Sequence, residues 1–397
     1  MRLKGTIRGT CLGCVAAILP ALIIWAYFSQ SAALTVLVVM TLLGAFVHPK
    51  NTYLLAGAIA VGSLIVIVGV GLLPDIYYRP HEKYDAGGRY QPNINITFPS
   101  PFGDLVAIGG YEFRSAGEPR SIEFVTDGKG FRNRDEYRKG DTVVLGDSFV
   151  AGNGLSQENL IGERLTKHTG ETHYAIAFPA NFVTYAKMLA DHGLAAYVFV
   201  FEGNDFDDGD CTVFQPRKRK WQDEVRTGIP LATKTIAYKK KAARAWRAMK
   251  KRWRGTVPAP RVSSRRVGST DLLFLDHYVA ITRRESFMLP ACVDEAFSAV
   301  RHLVRGFVFL PTKYRIYAPH LDESPEKDLS DAQWEATERL ARTLGVPAYD
   351  MTPHLAKAAE TALVNGRFVY WRDGTHWNGL GTKTVAESLA DLFTTAD

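Results

Sequence analysis

Three stretches without a single charged residue, 11–28, 31–47 and 52–73, constrain this 397-residue chain more than any other feature. The third, 22 residues from Thr52 to Leu73, is long enough to cross the hydrocarbon core of a bilayer at 1.5 Å per helical residue. The first two, of 18 and 17 residues, lie near the lower limit. The pattern predicts three transmembrane helices, the first kinked at Pro20. Arg2, Lys4 and Arg8 precede the first stretch and Lys50 separates the second from the third, whereas Ser29-Gln30-Ser31 carries no charge. The positive-inside rule then puts the remainder of the chain outside the cytoplasm. Cleavage of a signal peptide at 29–31 leaves that orientation unchanged; a helical hairpin with one stretch not inserted reverses it.

Beyond residue 140, strand and helix patterns alternate, the mark of a parallel sheet covered on both faces. Short apolar runs at 142–146, 173–178, 197–202, 306–310 and 346–350 predict five strands. Ser330-Asp331-Ala332-Gln333 has the spacing of a capping box, and Trp334, Ala341 and Leu344 follow on one helical face. Another helix is expected from about Leu380 to Phe393. Ligands of such sheets bind beyond the carboxyl ends of the strands. Ser148 follows the first predicted strand, Asn204 the third, and Asp373 and His376 the fifth. A serine hydroxyl becomes a nucleophile when a base takes its proton and a third group holds the base in one tautomer. His376 and Asp373 are the candidates for those two roles. The Gly-x-Ser-x-Gly elbow of the α/β-hydrolases is absent, because position 150 is valine.

Gly146-Asp147-Ser148, Gly203-Asn204-Asp205 and Asp373-Gly374-Thr375-His376 resemble the motif blocks of the SGNH branch of the GDSL hydrolases. The resemblance covers about 140–205 and 305–395. It implies a three-layer α/β/α, flavodoxin-like fold with a five-stranded parallel sheet. It also implies Ser148 as nucleophile, His376 as base, Asp373 as its orienter and Asn204 as a side-chain donor to the oxyanion. Where the family has a glycine after the second strand, this chain has Ala177-Phe178-Pro179-Ala180-Asn181; Ala180 stands nearest, and its N–H joins that of Ser148 in the expected oxyanion hole. Losing one such donor typically costs about 10² to 10³ in rate. Lys313, after the fourth strand, and Trp377 are candidate substrate contacts, and no metal or cofactor is expected.

Cys11 and Cys14 have Cys-x-x-Cys spacing but lie at the start of an apolar helix with no partner ligands nearby, and read as small packing residues. Cys211 and Cys292 are a candidate disulfide for an exterior domain. Residues 76–140, rich in Gly, Pro and Asn, are expected to form a β-rich collar between membrane and catalytic domain. An insertion at about 206–300 exceeds the connection a compact α/β unit needs. Within it, a predicted helix at 234–254 lines Tyr238, Ala242, Trp246, Met249 and Trp253 along one face among ten lysines and arginines. Such a helix suits anionic lipid or a polyanion. With net charge +7, the chain is basic, but an extracytoplasmic location argues against nucleic acid. The resulting expectation is a periplasm-facing esterase, tethered to the cytoplasmic membrane, that removes an acyl group, acetyl foremost, from an envelope carbohydrate or glycolipid. The alternatives are an O-acyltransferase with the same serine and a non-catalytic glycan-binding or assembly factor on an esterase scaffold.

Overall fold

The computed structural model describes residues 89–109, 111–177, 181–206, 211, 262–323 and 325–395. The chain divides into two compact units, and the described residues fall in the unit made of 79–219 and 260–397. The three apolar stretches and the basic helix expected at 234–254 lie outside the described residues. Among the described residues no helix is long and apolar enough to cross a membrane.

The elements run in the order β1 (Asn95–Ser100), α1 (Asp104–Gly109), β2 (Arg120–Val125), β3 (Thr142–Gly146), α2 (Ile161–Thr169), β4 (His173–Ala177), α3 (Phe182–His192) and β5 (Ala196–Phe201). There follow β6 (Val262–Val267), β7 (Thr270–Leu275), α4 (Asp276–Thr282), α5 (Ala291–Ala299), β8 (Val304–Leu310), α6 (Lys313–Tyr317), α7 (Ala332–Leu344), β9 (Ala348–Asp350), α8 (Thr352–Leu363) and α9 (Gly379–Thr395). Five strands pair in parallel in the order β4-β3-β5-β8-β9. All five predicted apolar runs are therefore strands of one sheet.

Period-2 alternation sorts their side chains into two layers. Val144, Ala175, Phe199, Val308 and Leu310 face one way and pack with residues of α2, α6, α8 and α9. Val143, Leu145, Tyr174, Ile176, Val198, Val200, Phe307 and Phe309 face the other and meet α3, α5 and α7. The arrangement is the expected α/β/α sandwich. Helix α7 starts where predicted, but the capping box does not form. Ser330 Oγ accepts from the Ala332 N–H, while Gln333 is buried and donates to the Ile281 carbonyl at 2.7 Å. Demand from a buried carbonyl outcompetes the local cap.

Two short antiparallel pairs are added to the sandwich. β6 and β7 reverse at Gly268-Ser269, where the glycine takes φ 58°, and Leu272 and Phe274 join the first layer while Leu273 meets Phe102, Leu105 and Val106. β1 pairs with β2 across the segment that contains α1. The described part of the expected collar, from residue 89, belongs to the same compact unit as the sheet. Ile122 and Phe124 pack in one cluster with Phe149 and Val150, so the apolar face of β2 completes the core beside the Ser148 turn.

Candidate active site

β3 is buried along its whole length and stops at Gly146, after which Asp147 fixes the turn by accepting from the Phe149 N–H at 2.8 Å. That turn leaves Ser148 half-buried at the carboxyl rim of the sheet. The loop beyond it is gripped by the buried Arg132, whose guanidinium donates to the carbonyls of Ala151, Gly152 and Leu155 at 3.1, 2.7 and 2.5 Å. Four bonds from one planar fork, counting that to the Glu123 carbonyl at 3.0 Å, suit arginine and no other residue.

Ser148 Oγ and His376 Nε2 stand 2.7 Å apart although 228 positions separate them in the chain. The imidazole is 10% exposed and lies against the Phe149 ring, centroid to centroid 4.8 Å. Its loop is pinned carbonyl by carbonyl. The Leu105 N–H donates to the Asp373 carbonyl at 3.1 Å, and the Leu273 N–H to that of Arg372 at 2.9 Å. Lys313 Nζ donates to the carbonyls of Trp371, Arg372 and Gly374 at 3.2, 3.1 and 2.8 Å.

The third member is not the residue expected. Asp373 is fully buried and turned away from the imidazole, accepting from the N–H groups of Gly103 and Glu118 at 2.6 and 2.7 Å and pairing with Arg120 Nη2 at 2.6 Å. A carboxylate so satisfied is a structural anchor. Gly103 is required there, since a Cβ would come within 2.4 Å of the Asp373 carbonyl oxygen. The anchor brings in α1, and its first residue, Asp104, places Oδ2 3.3 Å from His376 Nδ1. Thr375 also contacts both, its Oγ1 lying 2.9 Å from Nδ1 and 2.5 Å from Asp104 Oδ2. Burial pushes the Asp104 carboxyl up, but the neighbouring His376 imidazole and two hydrogen bonds from Thr375 outweigh it and hold the group well below the usual carboxylate range. Sequence reasoning missed Asp104 because it sits in the presumed collar, 44 positions before the serine. Asp104 opens a short helix before an apolar run, the one cue available.

The remaining expected residues divide. Asn204 follows β5 on the same rim, with Nδ2 3.3 Å from Asp205 Oδ1 and Oδ1 3.4 Å from the Tyr278 hydroxyl. Burial pushes Asp147 up, offset in part by the Phe149 N–H, by His376 and by hydrogen bonds from Asn204 and Ser148. Burial and the Asp147 charge together push Asp205 well above the ordinary carboxyl range. Ala180 lies outside the described residues. Lys313 and Trp377 are not surface contacts. Lys313 is 4% exposed with its ammonium directed at three carbonyls, and Trp377 is fully buried with its ring edge against Phe149, centroids 5.2 Å apart. Apolar packing around the strand ends has drawn both inside. Cys211 and Cys292 are joined in a disulfide. Among the described residues, no cluster of three or more His, Cys, Asp or Glu side chains is arranged to hold a metal ion.

Residues 266–396 match the model of a family described as ALGX, an SGNH hydrolase-like domain of the acetyltransferase AlgX. The match takes in His376, Thr375, Lys313 and Asp373, and stops short of Ser148, Asn204 and Asp104. No curated protein matches the chain.

Proposed function

We propose that this chain is an SGNH-type serine enzyme that moves an acyl group, acetyl foremost, onto or off an envelope polysaccharide through an ester on Ser148. The observation that carries the reading is the 2.7 Å contact between Ser148 Oγ and His376 Nε2, with Asp104 behind the ring. In the forward step Ser148 Oγ attacks the acyl carbonyl carbon while His376 Nε2 takes the hydroxyl proton. The carbonyl oxygen becomes an oxyanion, and the tetrahedral adduct collapses as the leaving alcohol accepts the proton back from Nε2. A second hydroxyl then attacks the Ser148 ester, giving up its own proton to Nε2, and Ser148 leaves with that proton restored. Positioned base catalysis of this kind contributes on the order of 10² to 10⁴ in rate. The Asn204 amide, whose contact to Asp205 is a long 3.3 Å, is the proposed side-chain donor to the oxyanion. The Ser148 and Ala180 N–H groups are the other proposed donors.

The acetyltransferase to which the matching family is assigned favours a second hydroxyl other than water as the acceptor, hence transfer. Hydrolysis is the same chemistry with water. Anchoring through the three apolar stretches, with the described unit outside the cytoplasm, belongs to the same proposal; the Cys211–Cys292 bond supports an oxidising compartment. A fluorophosphonate probe should label the wild type and fail on Ser148→Ala. A folded wild type that resists the probe would instead indicate a binding module and refute an enzyme. Acetyl esters offered with and without an oligosaccharide should then yield acetylated sugar; free acetate alone would assign hydrolysis.

A further inference from the structure

The triad geometry contains a step in addition to the one usually drawn between base and carboxylate. His376 Nδ1 lies 3.3 Å from Asp104 Oδ2, beyond the ordinary range for a nitrogen donor and an oxygen acceptor. The path through Thr375 is shorter at both links, 2.9 Å from Nδ1 to Oγ1 and 2.5 Å from Oγ1 to Oδ2. Proton bookkeeping leaves one arrangement. An ionised carboxylate only accepts, so the single hydroxyl proton of Thr375 points at Asp104. The lone pairs of Oγ1 then face Nδ1, which must carry a hydrogen, and Nε2 is left bare to receive the serine proton.

Thr375 is itself locked to Asp104 at a second point, because its backbone N–H donates to Oδ1 at 2.8 Å. One residue therefore holds both carboxylate oxygens, and it is buried, 7% exposed, out of competition from water. We infer that Thr375 is a positioning residue of the site, its hydroxyl relaying the orienting hydrogen bond from Asp104 to His376 in a Ser148–His376–Thr375–Asp104 chain. The inference rests on the serine-enzyme reading above and adds to it which residue sets the tautomer of the base. No proton need be transferred along the relay: when Nε2 takes the serine proton, Nδ1 keeps its own, and the imidazolium charge is met by a hydroxyl dipole already aligned by Asp104.

The test uses p-nitrophenyl acetate and the four proteins of a double-mutant cycle, wild type, Thr375→Val, Asp104→Asn and the double variant, with Thr375→Ser as the conservative control. Thr375→Val preserves shape and removes the hydroxyl. It should lower kcat by about 10- to 100-fold at unchanged KM, while Thr375→Ser stays within about threefold of wild type. Because the relay ends on Asp104, the double variant should fall little below Asp104→Asn alone. Losses that multiply in the double variant, a serine that fails to restore the rate, or a Thr375→Val enzyme as fast as wild type would each overturn the relay. Should Thr375→Val fail to fold, nitrogen-15 histidine spectra of the wild type give the answer without a variant. Neutral His376 must show its hydrogen on Nδ1, and a hydrogen on Nε2 overturns the proposal. Failure of the wild type to turn over the ester or to label on Ser148 would instead count against the serine-enzyme reading.

Discussion

Asp104, which the sequence did not single out, stands beside His376 where Asp373 was expected, and the surroundings of the two carboxylates make the difference measurable. Asp373 neutralises the buried Arg120, whose side chain is 6% exposed, so Asp373→Asn strands a cation in the interior. Breaking such a pair costs about 3–5 kcal/mol. Urea unfolding should register that loss for Asp373→Asn and a much smaller one for Asp104→Asn, whereas kcat should fall by roughly 10² to 10⁴ in Asp104→Asn. A stable Asp373→Asn protein with that kinetic defect would return Asp373 to the orienting role. Lys313 supplies a pH test. Burial lowers its ammonium from the ordinary 10.5 to about 7, against the pull of Asp104, Asp373 and Glu118 and with the push of Arg120. Between those two values the unfolded chain holds a proton that the native protein lacks, so this residue makes stability rise with pH across the window. The unfolding free energy of the wild type minus that of Lys313→Met should therefore increase from about pH 7 to pH 10. A flat difference would mean that the carbonyls of Trp371, Arg372 and Gly374 keep the ammonium charged throughout.

At the scale of elements, the sandwich was legible because its strands are short runs of β-branched and aromatic residues, as in Ala196–Phe201 and Val304–Leu310, with buried faces that leave little alternative. Ser148, Asn204 and His376 were legible as residues at strand ends or on a rim loop. Asp104 was not, because six residues of helix between the strands of a short antiparallel pair carry no periodicity that marks a catalytic position. The pairing of β6 with β7 was likewise hidden inside a stretch read only as insertion. The disulfide joins the two ends of that insertion: Cys211 lies a few residues after the Asn204 turn, and Cys292 is on α5. It closes a sequence separation of 81, for which the chain-entropy account gives about 4–5 kcal/mol. Cys292→Ser should lower the melting temperature and make it insensitive to added reductant. It should leave the rate of Ser148 labelling close to wild type, since neither cysteine touches the site.

For the molecule as a whole, the decisive contacts are those that join distant parts of the polymer. His376 meets Ser148 across 228 positions, and Thr375 meets Asp104 across 271. The carboxylate leaves the ribosome first, the alcohol next, and the imidazole only after all five strands of the sheet. A nascent chain thus displays an unactivated alcohol, chemically no more aggressive than any surface serine. On the proposed function, the base reaches the serine only when the loop before α9 docks, so an unfinished molecule would lack acyl-transfer power.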